Sequence, residues 1–344
     1  FTGTSIGSTK SVISEIVFNT SMTGYLEVLT DPSYAGQAVV MTYPLIGNYG
    51  ITPDMESKQP WPDGYIVREL SRIPSNFRCQ GTIQDFLKEH DIPGIAGIDT
   101  RALTKILREK GTMNGMITTD ENYKLDEILP QLHVYNTGNV VDKVTCSEKE
   151  VLKADGYKVA LLDFGAKNNI AQSLHKRGCE VTIYPAHTTA EEILASNPDG
   201  IMLSNGPGDP KACTDIIKEV KKLYDSEVPI FAICLGHQLM ALATGADTYK
   251  LKYGHRGGNH PVKDLETGRV YISSQNHGYA VDAESLDPAV AVPAFTNVND
   301  GTNEGLKYTG KNIFTVQFHP EACPGPQDSG YLFDKFIEMM GGQK

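Results

Sequence analysis

The stretch Val228-Pro-Ile-Phe-Ala-Ile-Cys234-Leu-Gly-His-Gln-Leu-Met-Ala-Leu-Ala243 decides the fold of the second half of the chain. Residues 230–233 are a short apolar run after a proline, which is typical of a buried strand. Residues 235–243 combine helix formers with apolar residues at helical spacing, which predicts a helix. Cys234 therefore occupies a strand-to-helix turn at the carboxyl edge of a sheet, where open α/β sheets bind ligands.

A cysteine at this turn has the surroundings of a nucleophile. The unpaired N–H groups and the dipole of a helix N-terminus favour the thiolate form of a cysteine placed there. Small residues two positions before and after a nucleophile allow a sharp turn, as in the Gly-x-Ser-x-Gly elbow, and here they are Ala232 and Gly236. A lone cysteine is more often a buried structural residue, so this assignment depends on partners elsewhere in the chain.

The composition excludes several classes of protein. The 344 residues suffice for two domains, and the net charge of −11 without a basic cluster argues against nucleic acid or an anionic membrane as a partner. There is no apolar run of transmembrane length and no signal peptide, and the six scattered cysteines lack a Cys-x-x-Cys pair. We therefore expect a cytoplasmic protein with free thiols. The chain starts at Phe1 rather than methionine, so we expect that an N-terminal piece is absent.

The spacing of apolar residues predicts an α/β protein with two domains. Residues 1–138 mix short strands (13–18, 38–43, 95–98) with helices at 82–90 and after Asp99, and residues 20–27 and 31–34 are predicted to be polar loops. Residues 139–156 are polar and charged, which predicts a linker. From residue 157 to 344, strands and helices alternate, which predicts a mostly parallel sheet flanked by helices. Residues 250–318 are predicted to be mainly strands, and 330–340 a closing helix.

A candidate base follows the predicted strand 313–318, where the sequence is His319-Pro-Glu321. Proline holds the preceding His319 in an extended conformation. Positions 319 and 321 then project to similar sides, so Glu321 can lie beside the imidazole. This predicts His319 as a proton shuttle and Glu321 as the group that sets its tautomer. Taken alone, the tripeptide is more often a turn that ends a strand.

Two further loops supply candidate binding groups. Ser204-Asn-Gly-Pro-Gly-Asp-Pro210 lacks a phosphate-binding pattern, but backbone N–H groups at Gly206 and Gly208, with that of Leu235, could bind an oxyanion. The stretch Gln275-Asn-His-Gly-Tyr279 offers groups at Asn276, Gly278 and Tyr279 that could hold a polar amino acid. Gln238, one turn after Cys234 in the predicted helix, could do the same. The cluster between His255 and His260 has no acidic or thiol partner at ligand spacing, so we predict no metal site.

Together these motifs resemble the class I, triad-type glutamine amidotransferases. The whole chain is similar, more specifically, to the family of small, glutamine-hydrolysing subunits of carbamoyl-phosphate synthetase. The stretches that carry this second resemblance are Val17-Phe-Asn-Thr-Ser-Met-Thr-Gly-Tyr25, Thr30-Asp-Pro-Ser-Tyr34, Gly97-Ile-Asp-Thr-Arg-Ala-Leu-Thr-Lys105, Gly257-Gly-Asn-His-Pro-Val262 and Gln275-Asn-His-Gly278.

The resemblance implies a site and a reaction. Its triad falls on Cys234, His319 and Glu321, with a glutamyl thioester as the intermediate. Its glutamine-binding residues fall on Ser33, Gly206, Gly208, Leu235, Gln238, Asn276, Gly278 and Tyr279. Ser33 would bring the first domain to the site, which would then lie at the domain interface. The family often has glycine where this chain has Ala232, and we expect one methyl group to tighten the elbow without loss of activity.

The resemblance also implies a partner. Ammonia would pass through a tunnel to a separate large subunit, in a heterodimer or higher oligomer. That subunit would bind ATP and Mg²⁺ and make carbamoyl phosphate for arginine and pyrimidine synthesis, so no cofactor is expected in this chain.

Three alternatives stay open at this point. The chain could serve a synthetase for another acceptor, although its dedicated first domain argues against this. It could be a non-catalytic scaffold, which would show no selective labelling of Cys234 by a glutamine-like electrophile. The elbow alone would also fit a cysteine peptidase, but the loops argue for a small amino-acid substrate.

Overall fold

The computed structural model describes residues 1–322 and 324–341. By internal contacts the chain divides into two compact units, Phe1–Gly138 and Asn139–Lys344. Five cysteines are free thiols, and Cys323, which was predicted to be one as well, lies outside the described residues. No helix within the described ranges is long and apolar enough to cross a bilayer.

The first unit is built on a mixed sheet. Its strands are Thr4–Ser5 (β1), Val12–Asn19 (β2), Gln37–Met41 (β3), Leu45–Ile46 (β4), Gly64–Ile66 (β5), Glu69–Leu70 (β6), Gly94–Ala96 (β7) and Met113–Ile117 (β8). Its helices are Tyr25–Thr30 (α1), Ile83–Glu89 (α2), Thr100–Lys110 (α3) and Leu125–Val134 (α4). Among the described residues, six strands form one sheet in the order β1-β7-β5-β3-β2-β8, in which β2, β3, β5 and β7 are parallel.

The structure corrects one prediction in this unit, because α1 begins within the loop expected at 20–27 and the loop expected at 31–34 contains a 3₁₀ turn. Gly24 adopts a left-handed φ of 81°, and α1 begins directly after it. The apolar side chains of α1, such as Leu26 and Leu29, are buried in the core. Pro32–Tyr34 is a 3₁₀ turn, and the Asp31 carboxylate caps it by accepting from the Ser33 N–H at 2.9 Å. Asp31, one of the polar residues that suggested a loop, thus caps the 3₁₀ turn, whereas α1 starts after Gly24 without a side-chain cap.

The second unit carries the longer alternation of strands and helices. Its strands are Glu150–Leu152 (β9), Lys158–Asp163 (β10), Glu180–Pro185 (β11), Gly200–Leu203 (β12), Ile230–Ile233 (β13), Thr248–Asp264 (β14), Val270–Val281 (β15), Ala291–Asn297 (β16), Asn303–Tyr308 (β17) and Ile313–Val316 (β18). Its helices are Val141–Val144 (α5), Asn168–His175 (α6), Ala190–Ala195 (α7), Thr214–Asp225 (α8), Leu235–Ala243 (α9) and Tyr331–Gly341 (α10).

These strands form one sheet with a parallel centre. Within the described part of the chain the order is β15-β14-β16-β17-β18-β13-β12-β10-β11-β9. The five strands β18, β13, β12, β10 and β11 run parallel, and the pairs on either side are antiparallel. All residues of β12 and β13 are buried, as a sheet covered on both faces requires. The predicted α/β class, with a mostly parallel sheet and flanking helices, is confirmed.

The stretch 139–156, predicted as a linker, differs from that expectation. It contains α5, whose Val141 and Val144 are buried, and β9, which pairs with β11 at the edge of the sheet. Both elements belong to the second unit. Their polar composition reflects an edge position, where one side of each short element faces solvent.

Candidate active site

Cys234 lies on a strained turn between β13 and α9. Its φ of 54° and ψ of −105° are unusual for a residue with a side chain, and such strain is concentrated at functional sites. Its N–H donates to the carbonyl of Val316 on β18 at 2.8 Å. Gly236 must lack a side chain, because a Cβ there would lie 2.5 Å from the Leu203 carbonyl oxygen. Ala232 is fully buried in β13, so its methyl group is accommodated.

His319 and Glu321 meet directly behind this turn. The imidazole Nδ1 donates to Glu321 Oε1 at 2.6 Å. The same carboxylate oxygen accepts from Lys167 Nζ at 3.0 Å. All three side chains are buried, with 3% of the Lys167 side chain and none of the Glu321 side chain exposed. A charged row of Lys167, Glu321 and His319 therefore lies in the interior.

The row shifts the pKa values of its members in opposite directions. Burial alone would lower the pKa of His319, but the negative charge of Glu321 and hydrogen bonds outweigh it and raise that pKa to about 10. Burial would raise the pKa of Glu321, but Lys167 and His319 together lower it to about 2. At neutral pH the imidazole is therefore protonated and the carboxylate ionised.

The Cys234 thiol lies against this imidazolium. Cys234 is 2% exposed, and its side chain contributes to the raised pKa of His319, whose Nε2 forms no hydrogen bond with the described residues. The thiol also lies 3.7 Å from the carbonyl oxygen of Asn276, to which it can donate. The two groups that lie 85 positions apart in sequence (319 − 234) are thus brought together.

Residues 275–279, predicted as a loop, instead continue strand β15, because they pair with β14, and they reach the nucleophile as part of the sheet. Ser274 forms a bridge with His319, whose N–H donates to the Ser274 carbonyl at 2.9 Å. The Gln238 amide, one turn into α9, donates to the carbonyl oxygen of Tyr279 at 2.8 Å and to Gln317 Oε1 at 2.9 Å. The structure therefore brings four of the predicted substrate-binding residues to one place beside Cys234: Gln238, Asn276, Gly278 and Tyr279.

Hydrogen bonds hold the loop 204–210 against the turn at Cys234. The Gly236 N–H donates to the Ser204 carbonyl at 3.0 Å, and Asn205 Oδ1 accepts from the Lys167 N–H at 3.0 Å. A Cβ at Gly206 would lie 2.2 Å from the Phe164 carbonyl oxygen, and Gly208 has a left-handed φ of 91°. The Leu235 N–H opens α9, where a helix offers no internal acceptor. Of the backbone donors predicted for an oxyanion, that of Leu235 is adjacent to Cys234, and the loop that carries Gly206 and Gly208 is bonded to the same turn through Ser204.

The last predicted residue, Ser33, belongs to the first unit. It is buried in the 3₁₀ turn after Asp31, which its N–H contacts. Its role in glutamine binding stays a prediction.

Sequence reasoning missed Lys167. This residue follows β10 by four positions, so it too lies at the carboxyl edge of the parallel strands, and that position was the available signal. Its partner Glu321 lies 154 positions away, so no local motif joins them.

Comparison with known families identifies the class of protein. The model of the class-I glutamine amidotransferases matches residues 160–339. The model of the CPSase domain of the carbamoyl-phosphate synthase small chain matches residues 1–117. The strained Cys234 turn, the His319–Glu321 pair and the parallel sheet thus belong to a class-I glutamine amidotransferase.

Relatives that align over the full length of the chain identify its family within this class. The carbamoyl phosphate synthase small chain of Listeria monocytogenes is 51% identical over 100% of this chain and 95% of that protein. The small chain of Clostridium perfringens is 52% identical over 98% of this chain and 96% of that protein. A solved glutamine amidotransferase from Thermotoga maritima aligns at 19% identity and a TM-score of 0.40, over 48% of this chain and 77% of that one. The chain belongs to the carbamoyl phosphate synthase small-chain family, whose members are glutamine amidotransferase subunits.

Proposed function

We propose that this chain hydrolyses glutamine through Cys234, His319 and Glu321 and delivers ammonia to a separate large subunit. The observation that carries the proposal is the buried row Lys167–Glu321–His319, whose imidazole is influenced by the nearby Cys234 side chain of a strained turn. Within this row His319 is protonated and can act as an acid beside the nucleophile Cys234. Amide cleavage through a thioester needs this arrangement.

In the first step the Cys234 thiolate attacks the carboxamide carbon of glutamine, and the C=O electron pair moves onto oxygen. Backbone N–H groups at Leu235 and in the 206–208 loop stabilise this oxyanion, and each such donor contributes about 2.7–4 kcal/mol. When the C–N bond breaks, His319 donates its proton to the leaving nitrogen. Ammonia leaves, and a glutamyl thioester on Cys234 remains.

In the second step water attacks the thioester carbonyl. His319, now neutral, accepts a proton from the water, and the C–S bond breaks to release glutamate and the Cys234 thiolate. Glu321 stays ionised throughout, because its pKa is far below neutral. Its role is to hold the Nδ1–H tautomer, so that the other ring nitrogen exchanges the proton.

Substrate recognition falls to the predicted residues of the second unit around the thiol, and a part for Ser33 in it stays a prediction. The large subunit would bind ATP and Mg²⁺ and convert bicarbonate and ammonia to carbamoyl phosphate, for arginine and pyrimidine synthesis in the cytoplasm. Support for this partner comes from the family, since its members are named as the small chain of a synthase.

Trapping the thioester tests the proposal. The complex is incubated with radiolabelled glutamine and quenched in acid, and ammonia release is measured in parallel. We expect acid-stable label on the chain, which Cys234→Ala abolishes together with ammonia release. Cys179→Ala, which also alters a buried thiol of the second unit, should keep both. Label or ammonia release that persists in Cys234→Ala would reject this nucleophile.

A further inference from the structure

A second cluster of ionisable side chains lies outside the triad, in the antiparallel part of the second unit. His255 on β14, His277 on β15 and Glu304 on β17 place one donor atom each within 4.8 Å of one another. His255 and His277 are paired across β14 and β15. All three side chains are buried, and Glu304 is 0% exposed. We propose that these three side chains form a binding site for a divalent transition metal, with zinc as the best fit.

The outer nitrogen of each histidine is held by an acceptor, which leaves the inner nitrogen of His255 to bind a metal; the inner Nε2 of His277 lies 3.1 Å from Gln275 Oε1, a contact that the metal would replace. His255 Nε2 lies 2.8 Å from Asp300 Oδ2, and His277 Nδ1 lies 2.7 Å from the Tyr279 carbonyl oxygen. A carboxylate and a carbonyl only accept, so both of these nitrogens carry the hydrogen. Metal-binding histidines are oriented in this way by an outer carboxylate or carbonyl group.

The inner atoms are short of partners. Within residues 1–322 and 324–341, His255 Nδ1 and Glu304 Oε2 are buried without a hydrogen bond. His255 Nδ1 lies 3.4 Å from Glu304 Oε1, which Asn297 also contacts at 3.0 Å. Two ligands on a tetrahedral ion at about 2.0–2.1 Å are themselves roughly 3.4 Å apart. This pair is therefore already at coordinating separation, and His277 would complete the set after a small movement.

The chemical types of the three donor atoms indicate which cation would bind. Two imidazole nitrogens and one carboxylate suit zinc and related transition metals, whereas Ca²⁺ and Mg²⁺ prefer oxygen ligands. A divalent ion would also balance the charges of Glu304 and Asp300. The sequence prediction of no metal was based on the absence of an acidic partner near 255–260, but the fold brings in Glu304 from another strand.

Metal binding to the complete chain tests this site independently of glutamine hydrolysis. Chain freed of metal by chelator dialysis is titrated with Co²⁺ and Zn²⁺, with binding followed by visible absorption and calorimetry. We expect one equivalent of either ion and a cobalt spectrum without thiolate charge-transfer bands. Glu304→Gln and His255→Asn should weaken affinity by at least about 100-fold, and Asp300→Asn by about 10–100-fold.

A matched control is available on the surface. His187 contacts Asp142 at 2.6 Å, so it is a histidine–carboxylate pair without the inner donors, and His187→Asn should leave affinity unchanged. If the core variants fail to fold, the half-exposed Asp300 still provides the test, because its replacement leaves the core intact. Absence of stoichiometric binding, a cobalt–thiolate spectrum, or full affinity in Asp300→Asn and His255→Asn would overturn the proposal.

Discussion

Replacing Glu321 by glutamine removes the negative charge from the row Lys167–Glu321–His319 and keeps the size of the side chain. The amide keeps the size of the carboxylate but carries no charge, and it would face Lys167 Nζ at 3.0 Å and His319 Nδ1 at 2.6 Å. Burial and Lys167 both lower the pKa of His319, and Glu321 is the charge that opposes them. We therefore expect a neutral imidazole at pH 7 in Glu321→Gln, and no imidazolium to protonate the leaving nitrogen.

The expected effects on rate and stability follow from these contacts. Loss of a positioned proton donor lowers kcat for glutamine hydrolysis by about 10²–10⁴-fold. Removing one partner of a buried ion pair destabilises a protein by about 3–5 kcal/mol, and the value here should lie near the lower end because Lys167 has further contacts. For a unit of this size, roughly 3 kcal/mol lowers Tm by about 6–12 °C.

Ammonia release across pH, together with calorimetry, measures both effects. The double variant Lys167→Met/Glu321→Gln should regain most of the lost stability, since it removes both charges, but not the activity. Glu191→Gln, on the exposed face of α7, serves as the control and should change stability by less than about 0.5 kcal/mol. A Glu321→Gln variant with kcat within a few-fold of the parent would refute this account of the row.

Three further predictions rest on other contacts. Gly236→Ala puts a methyl group 2.5 Å from the Leu203 carbonyl oxygen. Urea titration should therefore show that the free energy of unfolding falls by about 1–3 kcal/mol, and activity assays should show a lower kcat. Unchanged values would mean that the turn at Cys234 is not tightly packed. Phe231→Ala removes a fully buried ring stacked on Phe314 at 4.4 Å, and should lower the free energy of unfolding by about 3–5 kcal/mol by the same measurement. Because the pKa of His319 rises from 6.5 to about 10 on folding, its stabilising contribution is complete below pH 6.5 and is lost as pH rises toward 10. His319→Asn should therefore flatten the alkaline fall in unfolding free energy, and an equally steep fall in that variant would contradict the shift.

The parallel sheet and the Cys234 turn could be predicted because their signals are local. Strands β12 and β13 are short apolar runs buried on both faces, which is the pattern that a covered parallel sheet imposes. His319 and Glu321 are two positions apart, so an extended chain is enough to place them together. Recognising the motifs then required no knowledge of long-range packing.

The features that were missed depend on partners distant in sequence. Lys167 acquires its role from Glu321, and Glu304 joins two histidines only because β17 lies near β14 in the sheet. Helix α1 was obscured because it has only six residues and no side-chain cap, and β9 exists as a strand only because β11 pairs with it. Local pattern cannot reveal an element that tertiary contacts stabilise.

The place of β18 in the sheet has a consequence for synthesis on the ribosome. This strand, the last among the described residues, inserts between β13 and β17, so β13 keeps an open edge until residues 313–316 have been translated and have left the exit tunnel. An unpaired apolar edge of this kind invites association between nascent chains. Chaperone demand should therefore peak late in translation, and premature termination upstream of β18 should produce aggregates rather than a partly active enzyme.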